Sequence, residues 1–281
     1  MIAICPNPFR DSELKYTRQA AEMLHAAGYE TAVCPVFAED APQMIPEDIK
    51  ATTLDAVRSR CSLVVVIGGD GTILSAARQL HNADIPILGV NLGSKGFMAA
   101  LEPEHMQLIV KAAAGEYKVS RRMMLDIELE RGGEIIYRDK ALNDVVLHGY
   151  GDCIRLTAWC AGDRITSFSG DGIILSTPTG STGYSMSAGG PIVEPEASAI
   201  IVSPICAHMM SARSYVLSAS HDVSVLAEKL HGRRAYISVD GNSVMDLTND
   251  DLLRVRRSER CILMADMGLK SFFDLAFEKL T

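Results

Sequence analysis

Residues 63–74 read L-V-V-V-I-G-G-D-G-T-I-L and carry the strongest indication of the fold. The first five of them form an apolar run of strand length, and the glycine-rich turn after it opens a helical pattern over 73–80. The same alternation continues on both sides. The sequence predicts further strands at 2–5, 31–36 and 85–90, and helices at 12–27 and 47–58. Strands separated by helices of this length indicate a parallel sheet and an α/β fold.

The pattern changes after about residue 116. Between there and residue 260 the chain shows short runs rich in β-branched residues with turn residues between them, which is typical of a β-rich domain. The last stretch returns to a strand followed by a helix. We therefore expect an α/β N-terminal domain with a parallel sheet at 1–116, to which 261–281 returns, and a β-rich C-terminal domain at 117–260.

Composition excludes several classes of partner. The chain has 281 residues, 48% of them hydrophobic, and a net charge of −8, so neither nucleic acid nor an anionic membrane is expected as a partner. Its apolar runs are too short to span a bilayer, and its first residues do not resemble a signal peptide. The seven cysteines are odd in number and form no C-x-x-C pair. Reduced thiols and a cytoplasmic location are expected.

The sequence G-G-D-G-T at residues 68–72, called the glycine turn below, places a carboxylate where an α/β sheet binds ligands. It lacks the lysine of a phosphate-binding P-loop and does not match G-x-G-x-x-G. Because Asp70 would repel phosphate, two functional roles are open for it. It is either a general base toward a substrate hydroxyl or a hold on a cation that bridges phosphates. The structural alternative is that Asp70 or Thr72 caps the next helix.

No charged residue occurs in residues 172–193, G-I-I-L-S-T-P-T-G-S-T-G-Y-S-M-S-A-G-G-P-I-V, called the uncharged segment below. Small hydroxyl groups and glycines suit a wall that grips sugar and amide groups, and a flexible linker is the alternative. The pair Asn143-Asp144 interrupts a strand-like run and could hold a ribose diol or form a hairpin turn. Asp171 and Asp240-Gly241-Asn242 taken singly are typical of strand-end turns.

Taken together, these motifs resemble the NAD kinase family. They occur in the family's order: G-G-D-G-T at 68–72, N-L-G-x-x-G-F at 91–97, N-D-V-V at 143–146, the long D-G-I-I-L-S-T-P-T-G-S-T-G-Y-S-M-S-A-G-G-P-I-V at 171–193, P-I-C-A-H at 204–208 and S-V-D-G-N at 238–242. The long motif is specific, whereas G-G-D-G-T is also similar to the signature of lipid kinases and phosphofructokinases.

The resemblance implies a phosphotransferase that moves the ATP γ-phosphoryl group to the 2′-hydroxyl of the adenosine ribose of NAD, giving NADP. It implies Asp70 as the proton acceptor, a nucleotide-binding first domain, an NAD-binding second domain and a divalent cation, Mg²⁺, whose ligands are not assigned. A homo-oligomer, dimer or tetramer, is also implied. The implied ligand-contacting residues are Gly68, Gly69, Gly71, Thr72, Asn143, Asp144, Asp171, Thr182, Gly183, Tyr184, Ser187 and Asn242.

Three positions depart from the family pattern. Asp144 stands where many members have Glu, Gly183 replaces an Ala, and Lys95 replaces a Leu. Two alternative functions stay open at this point. A lipid kinase of the diacylglycerol or sphingosine type would share the glycine turn but needs an apolar pocket for acyl chains. A non-catalytic dinucleotide-binding sensor would keep the NAD wall without needing Asp70.

Overall fold

A computed structural model describes residues 1–37, 44–93, 96–209, 212–228 and 230–280 of the chain. The chain divides into two compact units. The first comprises Met1–Arg122 with Ile262–Thr281, and the second comprises Met123–Cys261. Among the helices within the described ranges, none combines the length and apolar composition needed to cross a membrane.

The first unit contains a parallel sheet. Its strands, in spatial order, are β2 (Thr31–Val33), β1 (Ile2–Pro6), β3 (Leu63–Gly68), β4 (Ile87–Asn91) and the end of β16 (Leu252–Asp266). Every residue of β3 is buried, because a central parallel strand is covered on both faces. Since the strands are parallel, the turns that follow β1, β3 and β4 all leave the same edge of this sheet.

Helices accompany the parallel strands. They are α1 (Lys15–Ala26), α2 (Leu54–Val57), α3 (Asp70–Leu80), α4 (Leu108–Ala113) and α6 (Phe272–Leu280). The carboxylate of Asp11 accepts the backbone N–H groups of Tyr16 and Thr17, each at 2.9 Å, and so satisfies donors of the first turn of α1. Gly28, at φ +86°, takes the left-handed conformation just after α1.

The helix expected at 47–58 is wrong for most of its length. Only Leu54–Val57 is α-helical, and Arg58–Arg60 continues as a 3₁₀ turn. The backbone before it pairs with β2 instead, because Thr52 N–H donates to Val33 O at 2.9 Å. Thr53 then caps the short helix by accepting the N–H of Ala56. A turn at Pro46–Ile49 and an isolated bridge from Ala51 to Val33 therefore occupy most of the expected helix.

The second unit is built from two sheets. One has the order β12 (Tyr215–Ser218), β11 (Ala199–Ile205), β10 (Gly172–Ser176), β7 (Asp144–Gly149), β14 (Ala235–Val239) and β15 (Asn242–Leu247), all antiparallel. The other contains β16, β13 (Val223–Ala227), β8 (Ile154–Cys160) and β9 (Asp163–Gly170), with β5 (Lys118–Arg131) on β16 and β6 (Glu134–Ala141) on β5.

One buried cluster joins these two sheets. Leu147 and Ile173 come from the first sheet, and Leu156 and Val225 come from the second. The second unit is therefore a β-sandwich with its core between the sheets. Together with the parallel sheet of the first unit, this architecture confirms the predicted fold class.

Two strands are longer than the sequence indicated. Strand β5 has 14 residues and β16 has 15, whereas the sequence showed only short β-branched runs before residue 260. The start of β16 alternates buried Leu253 and Val255 with exposed Arg254 and Arg256. Arg254 pairs with Glu130 of β5 at 2.9 Å. The arginines on the exposed face make this half-buried strand difficult to predict from the sequence.

Candidate functional site

The glycine turn places Asp70 at the first position of α3. Gly69, the residue before it, is extended (φ −123°, ψ −171°) and contributes no side chain to cap the helix. The carboxylate of Asp70 instead accepts the backbone N–H groups of Phe97 at 2.8 Å and Met98 at 3.2 Å. The side chain therefore anchors the segment after β4, and the capping role considered for Asp70 is wrong.

Thr72 has a structural contact of its own. Its buried hydroxyl oxygen accepts the side-chain N–H of Asn7 at 3.0 Å, which ties the end of β1 to α3. A side chain at Gly68 would place its Cβ 2.4 Å from that same hydroxyl, so packing alone requires the glycine. Gly71 differs. Its backbone is not left-handed, and among the described residues an added Cβ would meet only Phe37, at 3.5 Å. A glycine that the chain itself does not require points to close approach by a ligand.

The charge state of Asp70 suits a proton acceptor. Burial raises its pKa, and the two backbone hydrogen bonds from Phe97 and Met98 oppose that rise. The positive charges of Lys279 and Arg10 also favour the ionised form. A carboxylate with a raised pKa accepts a proton from a hydroxyl more readily than an ordinary aspartate does.

The N-L-G-x-x-G-F motif lies beside the glycine turn because β3 and β4 are neighbours. Asn91 accepts the N–H of Gly93 at 3.0 Å and donates to the carbonyl of Gly93 at 2.8 Å, which shapes the turn. A Cβ on Gly96 would lie 3.0 Å from Oδ1 of Asp70. The two motifs thus form one site at the edge of the sheet. Lys95 falls outside the described residues.

In the second unit, Asp240 organises the bend that presents Asn143 and Asp144. Its carboxylate accepts three backbone N–H groups, from Leu142 at 2.9 Å, Asn143 at 2.7 Å and Asp144 at 3.1 Å. Asp240 and Gly241 both have positive φ (47° and 80°), as a two-residue turn between β14 and β15 requires. The sequence suggested only a strand-end turn here and missed this role. The Asp-Gly dipeptide was the available signal.

The pair Asn143-Asp144 is not a hairpin. The strand before it, β6, pairs with β5, and the strand after it, β7, pairs with β10 and β14. Asp144 is 6% exposed, and burial together with the negative charge of Asp240 raises the pKa of Asp144 to about 7. Burial raises the pKa of Asp240 too, and its three backbone N–H donors oppose that rise.

Asn143 carries a buried polar atom that needs a partner. Its Oδ1 makes no hydrogen bond with any residue that the structure describes. Such a group is costly unless something binds to it. Asn143 therefore offers a buried acceptor that no described residue uses.

The uncharged segment divides into a buried half and an accessible half. Residues 172–181 are buried, and Thr177 joins the segment to the bend by donating to Leu142 O at 2.6 Å and accepting Gly180 N–H at 3.1 Å. A 3₁₀ turn at Thr179–Thr182 and the short α5 (Tyr184–Ser187) follow. Tyr184 is 42% exposed. The accessible part of this segment therefore begins near Thr182, and the segment is not a linker.

Behind Tyr184 lies a stack of rings that the sequence did not reveal. The ring of Tyr184 lies parallel to that of His148 at 5.6 Å, and His148 stacks on Tyr236 at 4.9 Å. Tyr150 continues the stack at 4.5 Å from Tyr236. Burial lowers the pKa of His148, which favours its neutral form within the stack. These residues fix the plane of the Tyr184 ring.

Not all predicted residues lie together. Gly172 pairs with His148 and Ser176 pairs with Asp144, so Asp171 lies at the opposite end of β10 from the bend. At ~3.3 Å per residue this separates Asp171 from Asp144 by roughly 15 Å along the strand. Ser187 and Asn242 are exposed, and the Asn242 side chain donates to Asp240 O at 3.4 Å.

An α/β unit with a buried carboxylate after its central strand and a β-sandwich unit together match a class of nucleotide-dependent phosphotransferases. Comparison with known proteins agrees. Residues 2–117 match the family model described as ATP-NAD kinase N-terminal domain, and residues 122–266 match that described as ATP-NAD kinase C-terminal domain. The chain is 35% identical to the NAD kinase of Acetivibrio thermocellus over 98% of its own length and 94% of that protein. It is 39% identical to the NAD kinase of Geobacter metallireducens over 81% of each chain.

Solved structures show the same fold. Yeast NADH kinase complexed with NADH aligns with a TM-score of 0.86 at 27% identity, covering 99% of this chain and 86% of that one. An Archaeoglobus fulgidus NAD kinase in complex with ATP aligns with a TM-score of 0.76 at 24% identity, covering 100% and 98%, and shows the fold alone. The chain belongs to the NAD kinase family. The comparisons support neither the lipid kinase nor the non-catalytic sensor.

Proposed function

We propose that this protein transfers the γ-phosphoryl group of ATP to the 2′-hydroxyl of the adenosine ribose of NAD, forming NADP and ADP. Family membership supports the reaction, and the environment of Asp70 supports the chemistry. A ribose hydroxyl is a weak nucleophile, so a carboxylate that accepts its proton lowers the barrier. Asp70 retains free acceptor capacity for this step, since each of its oxygens accepts one backbone N–H.

The first unit is proposed to bind the nucleotide phosphates and the second to bind NAD. The unpartnered Oδ1 of Asn143 and the buried carboxyl of Asp144 would take the hydroxyl and amide groups of NAD. The exposed ring of Tyr184, held by His148, would pack against a planar part of it. Thr182 and Gly183, which precede Tyr184, complete this surface. Asp171, Ser187 and Asn242 remain proposed contacts with the dinucleotide.

A divalent cation bound to the phosphates of ATP is compatible with the residues at the glycine turn. The described residues contain no group of three or more His, Cys, Asp or Glu side chains arranged to hold a metal. Mg²⁺ in kinases is held chiefly by substrate phosphates and water with one or two carboxylates, so a protein cage is not required. Asp70 is the carboxylate at the glycine turn that could contribute. When bound, the cation would neutralise charge on the transferring phosphoryl group.

One assay tests the proposed function. Purified protein is incubated with NAD, ATP and Mg²⁺, and NADP is measured with an NADP-specific dehydrogenase while ATP consumption is followed in parallel. NADP formation matched by ATP consumption is expected. Phosphorylation of diacylglycerol or sphingosine without NADP would establish the lipid kinase. Binding of NAD without ATP consumption would establish the sensor.

The homo-oligomer and the cytoplasmic location remain proposals drawn from family resemblance and composition. Light scattering on the purified protein would give the oligomeric state, with a dimer or tetramer expected. A monomer that retains full activity would contradict the proposed assembly.

A further inference from the structure

Arg10 lies at the edge of the sheet where the glycine turn lies. It follows β1 in the sequence N-P-F-R at 7–10, and its backbone N–H donates to Asn7 O at 3.0 Å. Strand β1 is parallel to β3, with Pro6 opposite Ile67. The residues after β1 therefore leave the sheet beside the residues after β3, although some sixty positions separate them in the sequence.

The guanidinium of Arg10 covers the glycines of two turns. Its Nη1 atom lies 3.7 Å from the position that a Cβ would take on Gly69. The same atom would lie 2.3 Å from a Cβ on Gly93, a distance that no side chain could occupy unless Arg10 moved. Gly93 is the partner of Asn91 in the turn after β4. The absence of side chains at 69 and 93 thus leaves room for the guanidinium beside Asp70.

The positive charge of Arg10 has no acidic partner among the residues that the structure describes. Its side chain is exposed, and neither a hydrogen bond nor an ion pair links its guanidinium to a described residue. By contrast, Arg18 pairs with Asp48 at 2.6 Å and Arg155 pairs with Glu228 at 2.9 Å. The positive charge of Arg10 nevertheless favours the ionised form of Asp70. A guanidinium that no described residue pairs, near the proposed general base, is therefore suited to bind the phosphates of the donor nucleotide.

We propose that Arg10 binds the phosphate oxygens of the ATP donor and supplies, at the glycine turn, the positive charge that a P-loop lysine supplies in other nucleotide-binding proteins. The inference rests on the proposed function. A guanidinium presents its N–H donors in a planar fork that fits two phosphate oxygens at once. This contact offsets the repulsion between Asp70 and the incoming phosphates. None of the motifs that resemble the family contains Arg10, so the sequence did not identify it as a phosphate contact.

The test compares steady-state kinetics of the unchanged protein with Arg10→Ala, Arg10→Lys and the control Arg60→Ala. Arg60 is an exposed arginine of the same unit that pairs with Glu30 at 3.8 Å. We expect Arg10→Ala to lower kcat/KM for ATP by ~10-fold or more, the usual effect of losing a charge-assisted hydrogen bond, with KM for NAD unchanged. Arg10→Lys should recover part of the loss, because it restores the charge without the fork. Arg60→Ala should behave like the unchanged protein.

Inhibition by inorganic tripolyphosphate and by adenosine separates a phosphate contact from a general disturbance. Arg10→Ala should weaken inhibition by tripolyphosphate by about the same factor as it weakens kcat/KM for ATP, and should leave adenosine inhibition unchanged. The role of Arg10 would be overturned if Arg10→Ala raised KM for ATP and KM for NAD equally. Equal weakening of inhibition by tripolyphosphate and by adenosine, or an unchanged kcat/KM for ATP, would also overturn it. If the unchanged protein forms no NADP, the proposed function fails, which is a different result. Arg10→Lys with a normal melting temperature keeps the test valid if Arg10→Ala does not fold.

Discussion

Oδ2 of Asp70 accepts the backbone N–H of Phe97 at 2.8 Å, so the proposed general base also holds the segment that follows β4 in place. The neighbouring bond from Met98 to Oδ1 makes the attachment bidentate. Both roles use the same two oxygens. A substitution at residue 70 therefore has to be judged separately for chemistry and for the position of this segment.

Asp70→Asn should lower kcat by ~10²–10⁴, the range usual for a lost general base, while NAD binding survives. An amide offers one oxygen where the carboxylate offers two, so one of the two backbone N–H groups also loses its acceptor. Turnover of the variant is measured at saturating NAD and ATP, and NAD binding is measured by calorimetry. A variant with nearly full turnover would remove Asp70 from the chemistry.

The pKa of Asp144, about 7, predicts a pH dependence in both stability and NAD binding. Between the ordinary aspartate pKa and about 7, the folded chain holds a proton that the unfolded chain has released, so the free energy of unfolding falls as pH rises. Asp144→Asn removes this titration. Relative to the unchanged protein, the variant should gain ~2 kcal/mol between about pH 5 and about pH 8.

Urea unfolding at the two pH values measures this difference, with the exposed Asp163→Asn as the control. If the ionised carboxyl of Asp144 grips NAD, KM for NAD of the unchanged protein should also fall as pH rises through about 7. The KM of Asp144→Asn should stay flat over the same interval. Parallel curves for the two proteins would contradict a titrating Asp144.

Asp240→Ala should destabilise the second unit and weaken NAD binding together. The substitution leaves three backbone N–H groups of the bend without their acceptor, which costs ~3 kcal/mol in total after water satisfies part of the loss. Because these bonds orient Asn143 and Asp144, KM for NAD should rise and KM for ATP should not. The exposed Asp163→Ala in the same unit is the control, and an unchanged melting temperature for Asp240→Ala would show that the bend does not depend on this carboxylate.

The departure from the family at Gly183 gives a matched pair of substitutions. A Cβ on Gly183 would lie 3.3 Å from Gly180 O and 3.5 Å from Nδ2 of Asn143, a tight fit that a small shift relieves. A Cβ on Gly180 would lie 2.3 Å from Asn143 O, against backbone that cannot yield. We expect Gly183→Ala to fold and remain active, and Gly180→Ala to lose stability and NAD binding. Thermal melting and KM for NAD check both, and equal behaviour of the two variants would refute this packing.

Much of the fold could be predicted because its signals are local. The apolar run of β3 and the glycine turn after it belong to one stretch, and their strand–turn–helix character is confirmed. The first part of β16, before residue 261, was missed because its outward arginines mask the alternation with Leu253 and Val255. The expected helix at 47–58 failed because the partner of Thr52 is β2, a pairing distant in sequence that local periodicity does not report.

The candidate site shows the same limit. The motif residues were predictable as a set, but Asp240, His148 and Arg10 act through contacts with residues far away in the sequence. An Asp-Gly dipeptide indicates a turn, but neither it nor an arginine after a strand indicates which distant residues it contacts. The sheet registers that bring them to the motifs are set by tertiary packing.

The two hydrogen bonds from Phe97 and Met98 to Asp70 couple the protonation state of this carboxylate to its hold on those two residues. A carboxylate that has taken the ribose proton is neutral, and a neutral carboxyl is a much weaker acceptor of backbone N–H groups. Protonation of Asp70 would therefore weaken its hold on Phe97 and Met98 once in each turnover. Loss of the proton to water would then reset both the base and its anchor for the next turnover.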